Sequence, residues 1–234
     1  MIYVTSDLHG CPLDALDTLL AKADFGPEDF LFILGDVIDW GDEGVKLLCR
    51  LMTSANIQLI RGNHEQMLLD SAFLFEEISD SSLNMVKEHN MDALSTWLLN
   101  GAEPTLRDLK TLAKTDPDTL WDLLDFLEDT PLWETVSTEK GDFLLTHAGL
   151  GNFHPSKKLS QYTAEELLWN RPQKTDRYFE AVTTIFGHTP TIAYGTEFAG
   201  RILKTDTWLN IDTGAGHGGT PTLLCLDTME SFSL

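Results

Sequence analysis

Residues 1–65 decide the fold, because three apolar runs in them each end in polar residues: MIYVTSDLHG (1–10), FLFILGDVID (30–39) and IQLIRGNHE (57–65). The run ends lie about 30 residues apart, the spacing of a strand, a crossover helix and a parallel strand. Apolar residues at helical spacing fill the two intervals, namely Leu13, Leu16 and Leu20, then Val45, Leu48 and Leu51. The pattern predicts parallel strands whose carboxyl ends meet at one sheet edge, where open α/β sheets bind ligands.

The remainder of the chain has two parts. Helical periodicity continues over 66–130, which we interpret as a helical insertion packed beside the site, with Trp97 and Trp121 on its apolar faces as core residues. Beyond it the pattern changes to short strands, at 133–137, 143–146, 183–186, 202–205, 208–211 and 223–226, expected to form an antiparallel or mixed second sheet. A helix interrupts them after the Thr163 and Glu166 capping box. We therefore predict one α/β domain over 1–234, a two-sheet mixed β-sandwich flanked by helices.

The charge balance narrows the possible partners. Sixteen Lys and Arg residues stand against 37 Asp and Glu residues, which gives a formal net charge of −21. Such a chain repels the phosphates of nucleic acids and the anionic surface of a membrane, so neither is an expected partner. The three cysteines form no CxxC pair, which argues against a disulfide framework and a structural zinc site. With no signal-peptide pattern at its start, the chain is expected in the cytoplasm.

Five apolar runs end in residues that bind metals, since THAGL (146–150) and FGHTP (186–190) follow the first three. The six candidate ligands are Asp7, His9, Asp36, Asn63, His147 and His188. Oxygen and imidazole ligands without a thiolate suit manganese, iron or zinc. Six side chains are too many for one tetrahedral ion but sufficient for two ions that share Asp36. We predict two divalent cations, with Mn²⁺ first among the candidates.

Phosphoester hydrolysis is the chemistry that such a centre favours. Two cations about 3.5–4 Å apart can hold a bridging hydroxide for attack on phosphorus and stabilise the phosphoryl oxygens. The departing alkoxide also needs a proton, for which His64 is the candidate general acid and Asp39 the carboxylate that orients it. Arg61 offers a planar guanidinium that can bind two phosphate oxygens.

At these residues the chain resembles the calcineurin-like metallophosphoesterases, and within them the compact bacterial and phage form of the phosphoprotein phosphatase (PPP) family. The family motifs are GDxHG, GDxVDRG, RGNHE, HGG or HAG, and GHT. Here they read SDLHG, GDVIDWG, RGNHE, THAGL and FGHTP in the same order, spread over residues 6–190. The resemblance implies a protein serine/threonine phosphatase, acting on a phosphorylated protein or a small phosphoester.

The resemblance also implies how the site residues divide their roles. A first metal would be held by Asp7, His9 and Asp36, and a second by Asp36, Asn63, His147 and His188. Asp39 and His64 would act as the acid pair. The run Leu-Leu-Trp-Asn-Arg171 is similar to the family segment that supplies a further arginine to the phosphate.

Two positions depart from the family pattern. Ser6 stands where glycine is usual, which removes no chemistry. Trp40 occupies the place of the VDRG arginine, and loss of a hydrogen bond to a charged group weakens phosphate binding by about 1.5–3 kcal/mol. We hypothesise that Trp40 lines the pocket rim as an aromatic platform that favours an aryl or nucleobase-bearing substrate. The alternative is that Trp40 packs beneath its loop.

Two other functions remain open from the sequence. A symmetrical diadenosine tetraphosphate hydrolase or related nucleotide phosphatase shares these motifs and would suit an aromatic residue at position 40. A metal-binding pseudophosphatase, acting as a binding module, would account for the lost arginine, although His64 and Asp39 argue against it. His89, His154 and His217 lack the strand-end context of the ligands and are interpreted as structural or surface residues.

Overall fold

The computed structural model of the chain describes residues 1–75 and 88–234, without the side chains of residues 88–90. Residues 76–87 of the predicted insertion and the side chain of His89 lie outside the described residues. Within the described ranges the strands are β1 (Ile2–Thr5), β2 (Phe30–Ile33), β3 (Ile57–Leu59), β4 (Trp133–Thr138), β5 (Gly141–Thr146), β6 (Val182–Phe186), β7 (Leu203–Lys204), β8 (Trp208–Asn210), β9 (Thr222–Cys225) and β10 (Ser231–Ser233). The helices are α1 (Leu13–Lys22), α2 (Gly44–Met52), α3 (Asn63–Asp70), α4 (Glu88–Leu99), α5 (Glu103–Thr115), α6 (Pro117–Glu128) and α7 (Ala164–Leu168).

The first sheet contains the three strands that the opening motifs predict. Its order is β10-β9-β1-β2-β3, and β1, β2 and β3 run parallel, with Tyr3 opposite Leu31 and Phe32 opposite Gln58. The predicted parallel sheet is therefore confirmed. The strand predicted at 223–226 was assigned to the second sheet, and this was wrong: β9 pairs antiparallel with the free edge of β1. The β9 backbone pairs with the edge that β1 would otherwise expose, and all four β9 residues are buried there.

The second sheet has the order β4-β5-β6-β8-β7 and is mixed, as predicted. The β4–β5 and β7–β8 pairs are antiparallel, whereas β5 and β8 both run parallel to β6. The parallel strands β5 and β6 end just before His147 and His188 respectively. The second sheet therefore delivers two imidazoles at its own carboxyl edge.

Alternating side chains on the strands separate the apolar interior into layers. Leu31 and Ile33 pack toward the helices, whereas Phe32 and Leu34 pack between the two sheets. A third cluster, which includes Leu167 of α7 and Trp208, covers the outer face of the second sheet. Two mixed sheets face each other with helices on both outer sides, which is the predicted architecture.

The described part of the insertion packs onto the same core as α1 and α2. Leu109 of α5 and the α6 stripe belong to this core, the stripe being Leu120, Leu123, Leu124 and Leu127. Asp116 caps α6 by accepting the Thr119 backbone N–H at 3.3 Å. Trp97 is fully buried as predicted, but Trp121 is 41% exposed, because it lies off the leucine stripe.

Within residues 1–75 and 88–234, none of the helices is both long enough and apolar enough to cross a membrane.

Candidate metal centre

The predicted ligands lie in loops that leave the strand ends with an unusual backbone conformation. The residues with positive φ include Asp7, His9, Asp36, Asp39, Trp40 and His188, with values from 44° to 71°. This left-handed region is unfavourable for residues other than glycine, and such strain tends to occur at functional sites. The sharp turns place the side chains at the sheet edges.

Asn63, His147 and His188 converge on one point. The Asn63 Oδ1 lies 2.8 Å from His147 Nε2 and 2.9 Å from His188 Nδ1. The two imidazole nitrogens are 3.2 Å apart, and His147 Nε2 is 3.5 Å from Asp36 Oδ1. Atoms of Asp36, His147 and His188 together form a group able to hold a metal ion.

A second group of possible ligand atoms shares Asp36 with the first. His9 Nε2 lies 3.7 Å from Asp36 Oδ2, and His64 Nε2 lies 3.8 Å from the same oxygen. Asp7, predicted as a ligand of this metal, belongs to neither group. Its carboxylate oxygens accept the His188 backbone N–H at 3.0 and 3.1 Å, which ties the end of β1 to the second sheet. The two groups thus meet at the Asp36 carboxylate.

The Nδ1 atoms of His147 and His9 are hydrogen-bonded to backbone carbonyls, which leaves their Nε2 atoms free to bind a cation. The Nδ1 of His147 lies 2.7 Å from the Leu34 carbonyl, and that of His9 lies 3.1 Å from the Ile38 carbonyl. A carbonyl only accepts, so each Nδ1 carries the hydrogen and each Nε2 presents a lone pair. Burial lowers the pKa of His9 to about 4 and also lowers the pKa of His147. Neutral imidazoles facing carboxylate and amide oxygens are the donor set that a divalent cation requires.

His64 and Asp39 form a buried pair beside this centre. His64 Nδ1 lies 2.6 Å from Asp39 Oδ2, and the same oxygen accepts the Trp97 indole N–H at 2.8 Å. The Asp39 backbone N–H donates to Thr105 Oγ1 at 3.0 Å. Burial opposes protonation of His64, but Asp36 and Asp39 outweigh it and raise its pKa to about 9. The ring is therefore disposed to carry a proton at neutral pH.

Two buried carboxyl groups support the ligand loops. Glu65 accepts the backbone N–H groups of Asp36 and Val37 at 2.9 and 2.8 Å, and that of Gly62 at 2.9 Å. Burial and the nearby Asp36 raise the Glu65 pKa to about 7. Burial likewise raises the Asp212 pKa to about 7, and the charge of Asp212 contributes to a raised pKa of Asp7. Glu65 thus joins the loops after β2 and β3, whereas Asp212 accepts the Gly214 backbone N–H within the loop after β8 at 2.9 Å.

The two predicted phosphate-binding arginines have different surroundings. Arg171 is exposed, donates to Thr189 Oγ1 at 3.2 Å, and its charge lowers the pKa of both His147 and His188. The Arg61 guanidinium instead donates to side-chain and main-chain oxygens near the end of α6, namely Thr130 Oγ1, Gln66 Oε1 and the carbonyls of Glu128 and Thr130. This arrangement differs from the one predicted for Arg61, because its donors are already engaged within the protein.

Comparison with known proteins agrees with this geometry. The profile of the calcineurin-like phosphoesterases matches residues 1–217 of the chain. The chain belongs to this family. Serine/threonine-protein phosphatase 2 of Salmonella typhimurium (strain LT2) is 29% identical over 233 residues, with 93% of this chain and 89% of the relative covered.

Several other similar proteins of this phosphoesterase family carry a different activity in their names. The symmetrical bis(5'-nucleosyl)-tetraphosphatase of Acidovorax ebreus (strain TPSY) is 30% identical over 169 residues, which covers 71% of this chain and 47% of the relative. The chain therefore spans about half the length of that relative. A solved structure provisionally assigned as a diadenosine tetraphosphatase superimposes with a TM-score of 0.67 at 18% identity, covering 100% of this chain and 92% of the other.

Trp40 lies at the rim of the phosphoesterase site. Its side chain is 46% exposed, and its backbone N–H donates to the Gly101 carbonyl at 3.0 Å. A Cβ at position 101 would lie 2.5 Å from Trp40 Cδ2, so the indole rests on the glycine that joins α4 to α5. The ring centroids of Trp40 and His217 are 6.0 Å apart. Trp169 lies beside the group of ligand atoms that contains His147 and His188, with its ring centroid 6.1 Å from that of His188.

Sequence reasoning missed three residues of the phosphoesterase site, and only some of them have a sequence signal. Asp212 follows the apolar strand β8 as Asp7 follows β1, which is a sequence signal that could have found it. Glu65 stands inside the RGNHE motif without an assigned role. Trp97 has no such signal, because its bond to Asp39 joins residues from two separate elements.

Proposed function

We propose that this protein is a phosphomonoesterase that uses two divalent metal ions, Mn²⁺ in the first instance, to hydrolyse phosphorylated serine and threonine side chains. The observation that carries the proposal is the position of Asp36 in both groups of ligand atoms, beside the His64–Asp39 pair. A shared carboxylate suits two neighbouring cations, and an adjacent imidazolium suits release of an alcohol. The similarity to the Salmonella phosphatase over nearly the whole chain supports this substrate class.

In this proposal Asp7, His9 and Asp36 hold the first metal, while Asp36, Asn63, His147 and His188 hold the second. Two such cations, when bound, would activate water and neutralise charge on the phosphoryl oxygens. Iron or zinc would also suit this mixture of imidazole and oxygen donors.

The chain's own side chains perform the remaining steps. His64 donates its Nε2 proton to the departing alcohol oxygen, while Asp39 holds the ring through Nδ1 and stabilises its positive charge. Arg171 binds the phosphoryl oxygens, since it is exposed and close enough to influence the pKa of two ligand histidines. We assign Arg61 to support of α6, in place of the predicted phosphate contact.

A symmetrical dinucleoside tetraphosphatase is the second candidate. It is favoured by the similarity to the Acidovorax relative and by Trp40, which stands where the family pattern has arginine. Two exposed tryptophans offer surfaces on which a base could stack, because Trp169 lies 6.1 Å from the ligand His188 and Trp40 lies 6.0 Å from His217.

One screen separates these activities. The protein, loaded with Mn²⁺, is given a phosphoserine peptide and diadenosine tetraphosphate in parallel, and release of phosphate or ADP is measured. Phosphate release from the peptide supports the proposal, while ADP release alone supports the tetraphosphatase. Asp36→Asn serves as the control that should be inactive on both. Failure of the metal-loaded protein on both substrates and on p-nitrophenyl phosphate would indicate a pseudophosphatase.

A further inference from the structure

A groove beside the metal centre is not used by any step described above. Its volume is about 580 Å³, and its lining includes His9, whose ring centroid lies 4.8 Å from that of His64. Its lining comes from the loop after β1, from residues 40–43, and from the glycine-rich loop before β9. Pro12, Ala15 and Pro221 are among the apolar residues on its walls. The groove therefore continues the site on the side where the departing alcohol would lie.

A continuous row of aromatic rings leads from the proposed acid into this groove. The ring centroids of His64 and His9 are 4.8 Å apart, and those of His9 and His217 are 6.5 Å apart. The row ends at Trp40, 6.0 Å from His217 and 46% exposed. Each separation lies within the range of contacting aromatic rings. His217, interpreted from sequence as a structural or surface residue, packs between His9 and Trp40 and so supports two rings of the groove wall that a flat substrate group could contact.

The charges around the groove disfavour a leaving group that carries further phosphates. Among the described residues, its lining includes the carboxylates of Asp42 and Glu43 but neither lysine nor arginine. The nearest basic partners are already engaged, because Arg107 pairs with Asp42 at 3.1 Å and Lys46 pairs with Glu43 at 2.8 Å. A polyanionic leaving group would find no available cation here.

We propose that the groove is a subsite for an uncharged aromatic leaving group, as in a phosphotyrosyl side chain or another aryl phosphomonoester. This inference rests on the proposed phosphomonoesterase function and extends its substrate class. In the reaction the bond between phosphorus and the aryl oxygen breaks, and a water oxygen, which has released one proton to solvent, bonds to phosphorus. The His64 Nε2 proton passes to the aryl oxygen, so that a neutral phenol remains against Trp40, and solvent returns a proton to the His64 ring.

The first test compares the effect of one substitution on two substrates, which cancels differences in leaving-group reactivity. Peptides of one sequence carry phosphotyrosine or phosphoserine, and kcat/KM is measured for wild type, Trp40→Ala and His217→Ala. The ratio of the aryl to the alkyl value should fall about tenfold in Trp40→Ala, through KM, because the lost stacking affects only the ring. Trp121→Ala, which removes an exposed indole from α6, should leave the ratio unchanged.

An equal loss on both peptides would overturn the subsite. So would a loss confined to diadenosine tetraphosphate, because the groove would then hold a nucleobase.

The second test does not depend on turnover. The metal-free protein, labelled with ¹⁵N, is titrated with p-cresol, and the Trp40 indole N–H signal, identified by its absence in Trp40→Ala, should shift. An unmoved signal in wild type would overturn the subsite even if the enzyme hydrolysed phosphopeptides. A shifted signal in a protein inactive on every phosphomonoester would instead refute the proposed function and leave the groove as a binding site for phenols.

Discussion

The histidines at the centre differ in the group that their Nδ1 atom meets, and this difference assigns their roles. His9 and His147 face backbone carbonyls, which hold the hydrogen on Nδ1, while burial lowers the pKa of both rings and so favours neutral imidazoles with a free Nε2. His64 faces the Asp39 carboxylate, which favours the imidazolium. In the proposed function one residue type therefore supplies both metal ligands and an acid, because the neighbouring oxygen is a carbonyl in one case and a carboxylate in the other.

His64→Ala tests the role of the acid. Turnover should fall roughly 10²–10⁴-fold for phosphoserine peptide, whose alkoxide needs a proton, and far less for p-nitrophenyl phosphate, whose leaving group barely needs one. The kcat values on the two substrates provide the measurement. Equal losses on both would assign the ring a structural role instead.

The Asp39–His64 bond can be tested without metal or substrate. In the metal-free protein the His64 ring should titrate near pH 9 by NMR, because Asp36 and Asp39 favour its charged form despite burial. Its contribution to stability is therefore full below the unfolded pKa of about 6.5 and is lost as the pH rises through about 9. Asp39→Asn should lower this pKa, and an unchanged titration would remove Asp39 from the explanation.

Trp97→Phe tests whether the insertion positions the acid pair. The change keeps an aromatic ring in the core but removes the indole N–H that Asp39 accepts. We expect kcat to fall about tenfold for phosphoserine peptide and little for p-nitrophenyl phosphate, since a hydrogen bond to a charged group contributes about 1.5–3 kcal/mol. Trp208→Phe is the matched control, because Trp208 is also buried and donates to a carbonyl, that of Asp176. If both variants changed the two substrates alike, Trp97 would be a packing residue only.

At the scale of elements, the connection between α6 and β4 is held by Arg61, the first residue of the RGNHE motif. Arg61 donates to the carbonyls of Glu128 and Thr130, so it satisfies main-chain oxygens just beyond the last turn of α6. Through Arg61 the RGNHE motif thus supports the end of the insertion, and through Glu65 it supports the loop that contains Asp36.

Exchange of each arginine for methionine separates support of α6 from phosphate binding. Arg61→Met should lower the melting temperature by several degrees, because Thr130 and its neighbours lose hydrogen bonds from a charged group, which contribute about 1.5–3 kcal/mol. Its effect on KM should be smaller than that of Arg171→Met, which should raise KM with little loss of stability. Calorimetry and steady-state kinetics on both variants provide the comparison. The reverse pattern would restore Arg61 as the phosphate ligand.

The strands and helices that could be predicted are those whose signal lies within a short stretch of the sequence. The apolar runs before Asp7, Asp36 and Asn63 predicted three parallel strands because each step of the pattern is short in sequence. The pairing of β9 with β1 was not predictable in this way, since it joins the two ends of the chain. The hydrogen-bond partners of Arg61 and Trp97 could not be predicted for the same reason. They depend on how the insertion packs against the rest of the chain, which the periodicity of a short segment does not show.

At the scale of the molecule, the described insertion shares its core with the first sheet, and we propose that residues 1–234 unfold as one unit. Addition of Mn²⁺ should raise the melting temperature, because a ligand at 100 times its Kd stabilises the folded state by about 2.7 kcal/mol. A chelator should reverse the shift. Elemental analysis should find two metal ions per chain in wild type and fewer in Asp36→Asn. Retention of both ions by Asp36→Asn would contradict a shared carboxylate.

The left-handed backbone of the ligand loops limits how this protein could be made more heat-resistant. Glycine would relieve the conformational penalty at Asp7, Asp36 or His188 but would remove the group that the reaction needs. Asp24 and Met229 have the same backbone conformation, with φ of 51° and 63°, and have no assigned part in the chemistry. Engineering for thermal tolerance should therefore begin at Asp24, whose side chain is exposed, rather than at Met229, whose side chain packs against the core between the sheets.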